Sequence, residues 1–342
     1  MPAHDRSISI AKAICIILMV AGHCECPDNI ERWIYLFHMP AFFFISGFLL
    51  SEKYLTGGWT GYLRFIWQKI KGLYLPYVIF SLLFLALTNL FCSWNLIDYR
   101  LSSQEFWHRT FQILTLRGHQ QLLNGYWFLK TLFLSSIISV LCLRLVKSFK
   151  FRCILILLFL SLAAACRLID ADTTMISRMF SASAFYITGY LFKNHPIKVN
   201  IWQSLTGFTA LAGISIIFAC NIFAEGWTVF AMYPIGIIGT LSAIGVSNLL
   251  INSKLSNTLD TIGSHTLSIL TFHFISFKLI SLLKIWIYNL PISSLAEYQV
   301  VHAHHEWYWW LLYTFVGVAL PTLIGILWKE AKTFSRSSSK IG

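Results

Sequence analysis

Long apolar segments alternate with short polar connections along the whole chain. A helix needs about 20 consecutive apolar residues to cross a bilayer, and about ten segments meet this requirement. The pattern therefore predicts an all-α polytopic membrane protein with about ten transmembrane helices. The predicted spans, with ends good to a few residues, are 8–25, 34–51, 74–93, 123–145, 152–169, 177–193, 201–222, 228–251, 265–288 and 307–328.

The composition agrees with a chain that lies mostly in lipid. Of the 342 residues, 57% are hydrophobic and only 12% are charged, and the mean hydropathy is +0.67. These values exclude a soluble protein, because a soluble surface carries more charged residues. The net charge of +12 does not indicate nucleic acid as a partner, since the basic residues fall in short loops between apolar segments. The predicted partner is the lipid bilayer.

Charges are distributed unevenly between the connections on the two sides of the predicted helices. Lysines and arginines occupy one alternating set of connections, which includes Lys53, Lys147 and Lys254. Acidic residues such as Glu105 and Glu297 occupy the other set. Cations are enriched in cytoplasmic loops, so this distribution places the N-terminus and the C-terminus in the cytoplasm.

The first predicted span carries a cation near one end and a histidine near the other. Lys12 and His23 are eleven residues apart, which in a helix is about 16 Å along the axis and nearly the same face. Polar groups in hydrocarbon are costly and therefore indicate function. No span contains a deeply placed carboxylate, so histidine is the available base for proton chemistry. The plainer interpretation of His23 is a helix-packing residue hydrogen-bonded to a neighbour.

The second predicted span contains the sequence FHMPAFFFISGFLL, which begins at Phe37. The loop that follows His23 is short, so we expect the first two spans to form an antiparallel hairpin with His23 and His38 at similar depth. Ser46 and Gly47 form a small-residue patch that allows close contact between helices. Packing against lipid and against other helices explains the aromatic residues of this segment without any further function.

Taken in order, these motifs resemble those of the integral-membrane acyltransferase 3 family. The resemblance covers essentially the whole chain, and it starts with the basic residue, the ten-residue spacing and the histidine of the first span, followed by FHMPAFFFISGFLL. It continues with KIKGLYLPY from Lys69, WFL from Trp127 and GSHTLSILTFH from Gly263. The chain departs from the family at Ser9, where an acid is common, and at Gly72, where a second basic residue is common.

The resemblance implies transfer of a short acyl group, with acetyl expected, from acyl-CoA to a hydroxyl that is typically on a sugar. It implies that His23 and Lys12 are the catalytic residues, with His23 as the base and with Lys12 holding the donor or hydrogen-bonded within the helix bundle. The donor phosphates would bind the cations of a cytoplasmic loop over 52–73, namely Lys53, Arg64, Lys69 and Lys71. The plainer interpretation of these cations is that they only set the topology. The path of the acceptor or of the acyl group would be lined by His38, Trp127 and His273.

One transmembrane acyltransferase domain is expected over residues 1–334, with a short polar cytoplasmic tail over 335–342. We expect a multi-pass protein of the cell inner membrane, with a carbohydrate acceptor and with glycan-assembly proteins as further partners. The stretch 94–122 is expected to face outward and to include a helix on the membrane. No metal is expected, because the spacing of the outer residues of metal-ligand type fits no compact zinc pattern: His302, His304, His305 and Glu306.

Two other functions are compatible with these residues. A transporter or flippase of a glycan-assembly system would use the buried histidine and lysine as coupling groups. The chain shows no inverted repeat and no paired spans broken by glycine or proline, which disfavours this alternative. A non-catalytic membrane partner of polysaccharide assembly is the third interpretation. Release of free coenzyme A from acetyl-CoA would distinguish the enzyme from both.

The orientation can be tested with single cysteines at Trp59 and Ser103 in a background that lacks the native cysteines. A membrane-impermeant thiol reagent applied to intact cells should label Ser103→Cys. Trp59→Cys should stay unlabelled until the cells are permeabilised, because the cations of 52–73 keep this stretch in the cytoplasm. Labelling of Trp59→Cys in intact cells would contradict the predicted orientation.

Overall fold

The computed structural model describes residues 5–169, 174–195, 199–217, 228–306 and 308–338. Within these ranges every regular element is a helix and no strand occurs, which confirms the expected all-α fold. The predicted residues 218–222 and 307, and residues 339–342 of the predicted tail, lie outside the described parts of the chain. In the described ranges, six helices are long and apolar enough to cross a membrane: Gly58–Ala86, Gln121–Leu145, Phe149–Ile169, Thr228–Leu250, Thr266–Tyr288 and Trp309–Thr333.

The chain divides into two compact units, and residues 1–27, 80–126 and 251–342 form the first. We call this part unit 1. The remaining residues, 28–79 and 127–250, form unit 2. The helix Gly58–Ala86 contributes its larger N-terminal part to unit 2 and its end to unit 1.

The α-helices of the described residues are numbered in chain order: α1 Arg6–Ala21, α2 Asp28–Tyr35, α3 His38–Phe48, α4 Lys53–Thr56, α5 Gly58–Ala86, α6 Thr88–Ser93, α7 Ser103–Leu114, α8 Trp127–Leu145, α9 Phe149–Ile169, α10 Thr174–Asn194, α11 Ile201–Ile217, α12 Thr228–Leu250, α13 Ser256–Ser264, α14 Thr266–Tyr288 and α15 Trp309–Ser338. A 3₁₀ turn, Gln121–Tyr126, precedes α8, and another, Ile292–Ala296, follows α14.

The first helix ends earlier than the predicted span of 8–25. It begins after Asp5, whose carboxylate accepts a hydrogen bond from the Ile8 N–H at 3.2 Å. It ends at Ala21, and the N–H of Gly22 donates to the Leu18 carbonyl at 2.9 Å. His23 therefore lies in the turn after the helix. The prediction that His23 shares a helix face with Lys12 is wrong, because the helix ends before His23.

The predicted span 34–51 is interrupted. The chain forms α2 and α3 on either side of Leu36 and Phe37, and Phe37 has a non-helical φ of −142° at ψ −22°. Pro40 is the third residue of α3, where a missing N–H removes no hydrogen bond within the helix. The Trp33 indole N–H donates to the Phe208 carbonyl at 3.1 Å, which ties α2 to α11 within unit 2.

The basic stretch 52–73, predicted as a loop, is helical. It forms α4 and the first half of α5, which are separated by a bend at Gly57, and the turn Ile70–Tyr74 departs from α-helical hydrogen bonding by forming a π turn. Buried Tyr62 and Phe65 recur at helical spacing, and the Tyr62 hydroxyl donates to the Ile137 carbonyl at 3.2 Å. Burial of this face against α8 favours a helix over the loop that charge alone predicted. Lys69 and Lys71 are thus carried on a helix.

The outer stretch 94–122 contains the expected helix, α7. Ser102 caps it, since the Ser102 N–H donates to Glu105 at 2.9 Å while the Ser102 hydroxyl accepts from the Glu105 N–H at 3.3 Å. The Ser102 N–H and the Ser102 hydroxyl, the latter at 2.8 Å, both donate to the Glu105 carboxylate and lower its pKa. Ile113 is buried while Trp107 and Phe111 are exposed, so α7 has the apolar and polar faces of an interfacial helix.

Backbones approach closely where glycine lies between helices. In unit 2 an added Cβ on Gly47 would collide with the Tyr186 carbonyl, and one on Gly189 would collide with the Phe44 carbonyl. The reciprocal contact confirms that the Ser46–Gly47 patch allows close packing, here between α3 and α10. In unit 1 Gly263 meets the Ser9 carbonyl in the same way, which presses α13 against the start of α1.

We expect Gly47→Ala to destabilise the protein by about 1–3 kcal/mol, because the new Cβ overlaps a backbone carbonyl that cannot easily move. Gly213→Ala is the matched control, since nothing lies within 4 Å of a Cβ at that helical position. The measurement is thermal unfolding in detergent, followed by the loss of the monodisperse peak. Equal melting temperatures for the two variants would contradict the close contact.

Candidate active site

Two of the predicted site histidines meet in unit 1. The rings of His23 and His273 stack with centroids 5.6 Å apart and an interplanar angle of 26°. Phe274 completes the cluster, with its ring 5.3 Å from His23 and 4.1 Å from His273. His273 is fully buried on α14, whereas His23 is only half-buried in the turn after α1. The pair therefore has one sheltered member and one member that solvent or a ligand can reach.

The protonation of His273 follows from its hydrogen bond. Its Nδ1 lies 2.9 Å from the Ile269 carbonyl, which can only accept, so Nδ1 carries the proton and Nε2 carries a lone pair. That Nε2 is buried and has no hydrogen-bond partner among the described residues. Gly125 allows α14 to pack closely against the 3₁₀ turn before α8, because an added Cβ at this position would lie 2.9 Å from Leu270. A buried acceptor without a donor is uncommon and often marks a functional group.

His23 has a polar neighbour that the sequence did not reveal. The side-chain amide of Gln299 contacts the imidazole of His23, with Gln299 Nε2 3.3 Å from His23 Nδ1. Gln299 belongs to the loop 289–306 between α14 and α15, and it is 276 residues from His23 in the chain. No spacing or motif in the sequence indicates this contact.

Lys12 is half-buried on α1, two turns before the end of the helix. The acidic group that acts on it electrostatically is Asp260 of α13. Asp260 also lies 4.0 Å from the Arg6 guanidinium, and its carbonyl accepts from the Ser9 hydroxyl at 3.2 Å. The sequence analysis missed Asp260, because it lies in a short polar helix outside the predicted spans.

The other predicted path residues belong to unit 2. His38 is buried at the start of α3, with its Nδ1 2.8 Å from the Ile34 carbonyl and its ring 5.2 Å from that of Tyr35. Trp127 begins α8, and the Arg178 guanidinium lies over its ring at 4.7 Å from the centroid. His38 thus has the same fixed tautomer as His273, and Trp127 has a cationic neighbour.

The four predicted donor-binding cations also belong to unit 2, on α4 and α5. Lys53 lies 5.0 Å from the Tyr54 ring, Lys69 5.3 Å from the Phe65 ring and Lys71 4.9 Å from the Trp67 ring. Arg64 and Lys71 are exposed, and Lys69 is half-buried. The contacts of Lys69 and Lys71 each span one helical turn, so both ammonium groups fold back along α5.

The outer histidines make contacts of their own. The His302 imidazole is hydrogen-bonded to the Glu25 carboxylate, and its backbone N–H donates to Glu297 at 2.7 Å. His304 stacks on Tyr288, with centroids 4.0 Å apart. Over the described ranges no group of three or more His, Cys, Asp or Glu residues is arranged to hold a metal ion.

A comparison with known families agrees with this site. A family model described as an acyltransferase domain matches residues 5–326, and it covers nearly the whole chain, including both histidines of the stacked pair. The chain belongs to the acyltransferase 3 family. Comparisons with curated proteins and with solved structures gave no match.

The histidine pair offers a side chain whose chemistry suits acyl transfer. A hydroxyl must lose its proton as it attacks an acyl carbonyl, and a neutral imidazole is the side chain suited to receive that proton near neutral pH. The half-buried His23 is accessible to a substrate, while the lone pair on His273 Nε2 is held in place by the backbone of α14.

The acyltransferase also has a polar concavity in unit 1, which is lined by a different part of the sequence from the stacked histidines. It has a volume of about 540 Å³ and lies along the polar face of α7. Its lining includes Glu105, His108, Arg109, Gln112 and Arg117. Gln112 and His108 are hydrogen-bonded to one another at 2.8 Å. Guanidinium, imidazole and amide groups of this kind suit a hydroxylated or anionic ligand.

Proposed function

We propose that the protein is a membrane-bound O-acyltransferase that moves a short acyl group, acetyl by expectation, from acyl-CoA to a hydroxyl of a cell-surface or lipid-linked carbohydrate. The observation that carries this proposal is the stacking of His23 on His273, with an unpartnered nitrogen on the buried ring. Membership of the acyltransferase 3 family supports the reaction class.

In this mechanism His23 is the general base. The hydroxyl oxygen of the acceptor bonds to the thioester carbonyl carbon while its proton passes to the imidazole of His23. Collapse of the tetrahedral intermediate breaks the carbon–sulfur bond, and the proton leaves with the thiolate as free coenzyme A. His273 lines the path of the acceptor or of the acyl group and, stacked on His23, helps to orient the ring of the base.

The donor is held through its phosphates and its pantetheine arm. Lys12 lies on the same helix that leads to His23, so it is suited to hold the donor while the thioester reaches the base. The phosphates of coenzyme A bind four cations, Lys53, Arg64, Lys69 and Lys71. Each lysine acts as a point charge, whereas the planar guanidinium of the arginine can donate two hydrogen bonds to one phosphate. No metal takes part in this scheme.

The acceptor is a carbohydrate in this proposal. The concavity along α7 supports this choice, because its side chains offer many donors and acceptors to sugar hydroxyls and two guanidinium groups to an acidic or phosphorylated glycan. His38 and Trp127 line the path of the acceptor or of the acyl group. Glycan-assembly proteins are the expected partners.

The proposed setting is the bacterial inner membrane, crossed about ten times, with both termini in the cytoplasm. The six long apolar helices support a multi-pass arrangement. The remaining spans would be formed by α1, by α2 with α3, by α10 and by α11. The separation of cations from acids between alternate connections supports the orientation.

We expect His23→Ala to lower kcat/KM by about 10²–10⁴, which is the usual loss when a general base is removed. His195→Ala is the matched control, since His195 is exposed and its ring packs edge-on against Phe149, with ring centroids 5.3 Å apart. The assay follows release of the coenzyme A thiol from acetyl-CoA by purified protein in the presence of a carbohydrate acceptor.

Near wild-type turnover of His23→Ala would remove this residue from the mechanism. A wild-type protein that binds the carbohydrate acceptor but never releases thiol from acetyl-CoA would favour the transporter or flippase instead. Expression and membrane insertion of both variants are compared by a fluorescent fusion, so that loss of protein is not mistaken for loss of chemistry.

The double change Lys69→Ala, Lys71→Ala should raise the KM for acyl-CoA several-fold with little effect on kcat, because a contact that is equal in ground and transition states mainly changes KM. The effect should weaken at high salt, since exposed charge pairs are screened over about 10 Å at 0.1 M ionic strength. KM is measured on equal amounts of inserted protein.

The matched control for these lysines is Lys329→Ala with Lys332→Ala. It removes the same charge near the end of α15, and Lys332 packs on Trp328 at 5.1 Å much as Lys71 packs on Trp67. If both pairs lower insertion equally and neither changes KM, Lys69 and Lys71 serve topology rather than donor binding.

A further inference from the structure

The loop 289–306 is fixed to α14 by two buried lysines. The Lys278 ammonium donates to the carbonyls of Leu295 and Glu297, at 2.8 Å each. The Lys284 ammonium donates to the Val301 carbonyl, also at 2.8 Å. Both lysines are almost completely buried, with 3% and 1% of their surface exposed, respectively. A buried charge costs several kcal/mol unless it is well bonded, so these contacts strongly restrain the loop.

Gln299 lies between these two attachment points. Its φ of +63° is in the left-handed region, which a residue with a Cβ occupies only when its surroundings impose it. On one side the neighbouring Tyr298 hydroxyl is hydrogen-bonded to Asn124, and on the other His302 is bonded to Glu25. The backbone conformation of Gln299 is thus determined by contacts on both sides, and its amide meets His23.

The orientation of the Gln299 amide and the tautomer of His23 depend on one another. When the amide nitrogen faces the ring, as it does here at 3.3 Å, Nδ1 accepts and the proton lies on Nε2. When the amide is turned by 180°, its oxygen accepts from Nδ1–H, and Nε2 has the lone pair of a base. The turn exchanges two atoms of nearly equal size, so the contact itself is kept.

We propose that Gln299 is a positioning residue that sets the orientation and the tautomer of His23, with its amide oxygen on Nδ1–H when the base acts, and that Lys278 and Lys284 hold it there through the loop. This inference rests on the proposed function of His23. It assigns a role in the reaction to three residues that belong to no motif of the sequence.

Other charged and titratable groups lie on the elements of unit 1 that carry His23 and its neighbours. They are held on α1, on the turn after it, on the 3₁₀ turn before α8, on α14, on the loop and on α15: Lys12, Cys24, Glu25, Tyr126, His273, Lys278, Lys284, Glu297, Tyr298, His302 and Tyr313. Because these groups are the same in every Gln299 variant, a difference between the variants reports on position 299 itself.

The test compares the pH–rate profiles of Gln299→Glu and Gln299→Leu with that of the wild type. A carboxylate only accepts, so Gln299→Glu keeps Nδ1–H bonded and also stabilises the imidazolium. We expect Gln299→Glu to stay active, with the acid limb of kcat/KM moved to higher pH. Gln299→Leu keeps the volume but loses the bond, and we expect kcat to fall about 10-fold or more.

Gln121→Leu is the matched control, since the Gln121 amide donates to the Ala296 carbonyl of the same loop at 3.4 Å. It should leave the position of the acid limb unchanged. If Gln299→Leu equals the wild type, or if Gln299→Glu is as inactive as Gln299→Leu, the assigned role is wrong. A wild-type protein without thiol release would instead overturn the proposed function, so the two failures are distinguishable.

The role of the lysines is tested by a double-mutant cycle with Lys278→Met. If Lys278 acts through Gln299, Lys278→Met should lower kcat in the wild-type background and have little further effect in Gln299→Leu. Independent, multiplicative losses in the double variant would show that Lys278 does not act through Gln299. Thermal unfolding of each variant accounts separately for the loss of stability.

Discussion

Hydrocarbon offers no hydrogen-bonding partner, and this constraint explains how several buried polar groups of the described helices are arranged. Lys278 and Lys284 satisfy it by donating to loop carbonyls, because a buried ammonium needs several acceptors. His38 and His273 satisfy it at Nδ1 through the carbonyl four residues earlier in sequence. These hydrogen bonds fix side chains on the helices and thereby give the site its rigid positions.

The same constraint makes a buried polar atom without a partner informative. His273 leaves Nε2 without a partner while its other nitrogen is held, and it stacks on a histidine that a substrate can reach. An orphaned acceptor in a buried place lowers stability, so it is expected where function requires it. This asymmetry between the two rings, rather than their identity as histidines, connects the fold to the acyl transfer we propose.

Close backbone contacts connect the environment of Lys12 to the fold. Gly263 lets α13 touch the Ser9 carbonyl, and this contact brings Asp260 near the start of α1. Asp260 then acts on Lys12 and Arg6 together. A larger residue at Gly263 would separate the two helices and weaken the interaction of Asp260 with Lys12 and Arg6. The small residue at this helix contact therefore contributes to the electrostatic environment of Lys12.

The sequence by itself determined that the chain is an all-helical membrane protein of the acyltransferase 3 family, and it pointed to Lys12, His23 and His273. It did so because hydropathy depends on composition within a window and because the motifs are local in sequence. It did not predict that 52–73 is helical, or that 34–51 is broken at Phe37, because average hydropathy does not report burial of one helix face or a local break in the backbone.

Only the tertiary structure decided which residues surround His23. The stacking on His273 and the contact with Gln299 join positions that are about 250 and 276 residues apart, and no local pattern encodes such a contact. Asp260 and the two loop-binding lysines were likewise unrecognised as parts of the site. Their roles depend on which carbonyls and charges the folded helices bring within hydrogen-bonding distance, and that distance is a property of packing rather than of residue type.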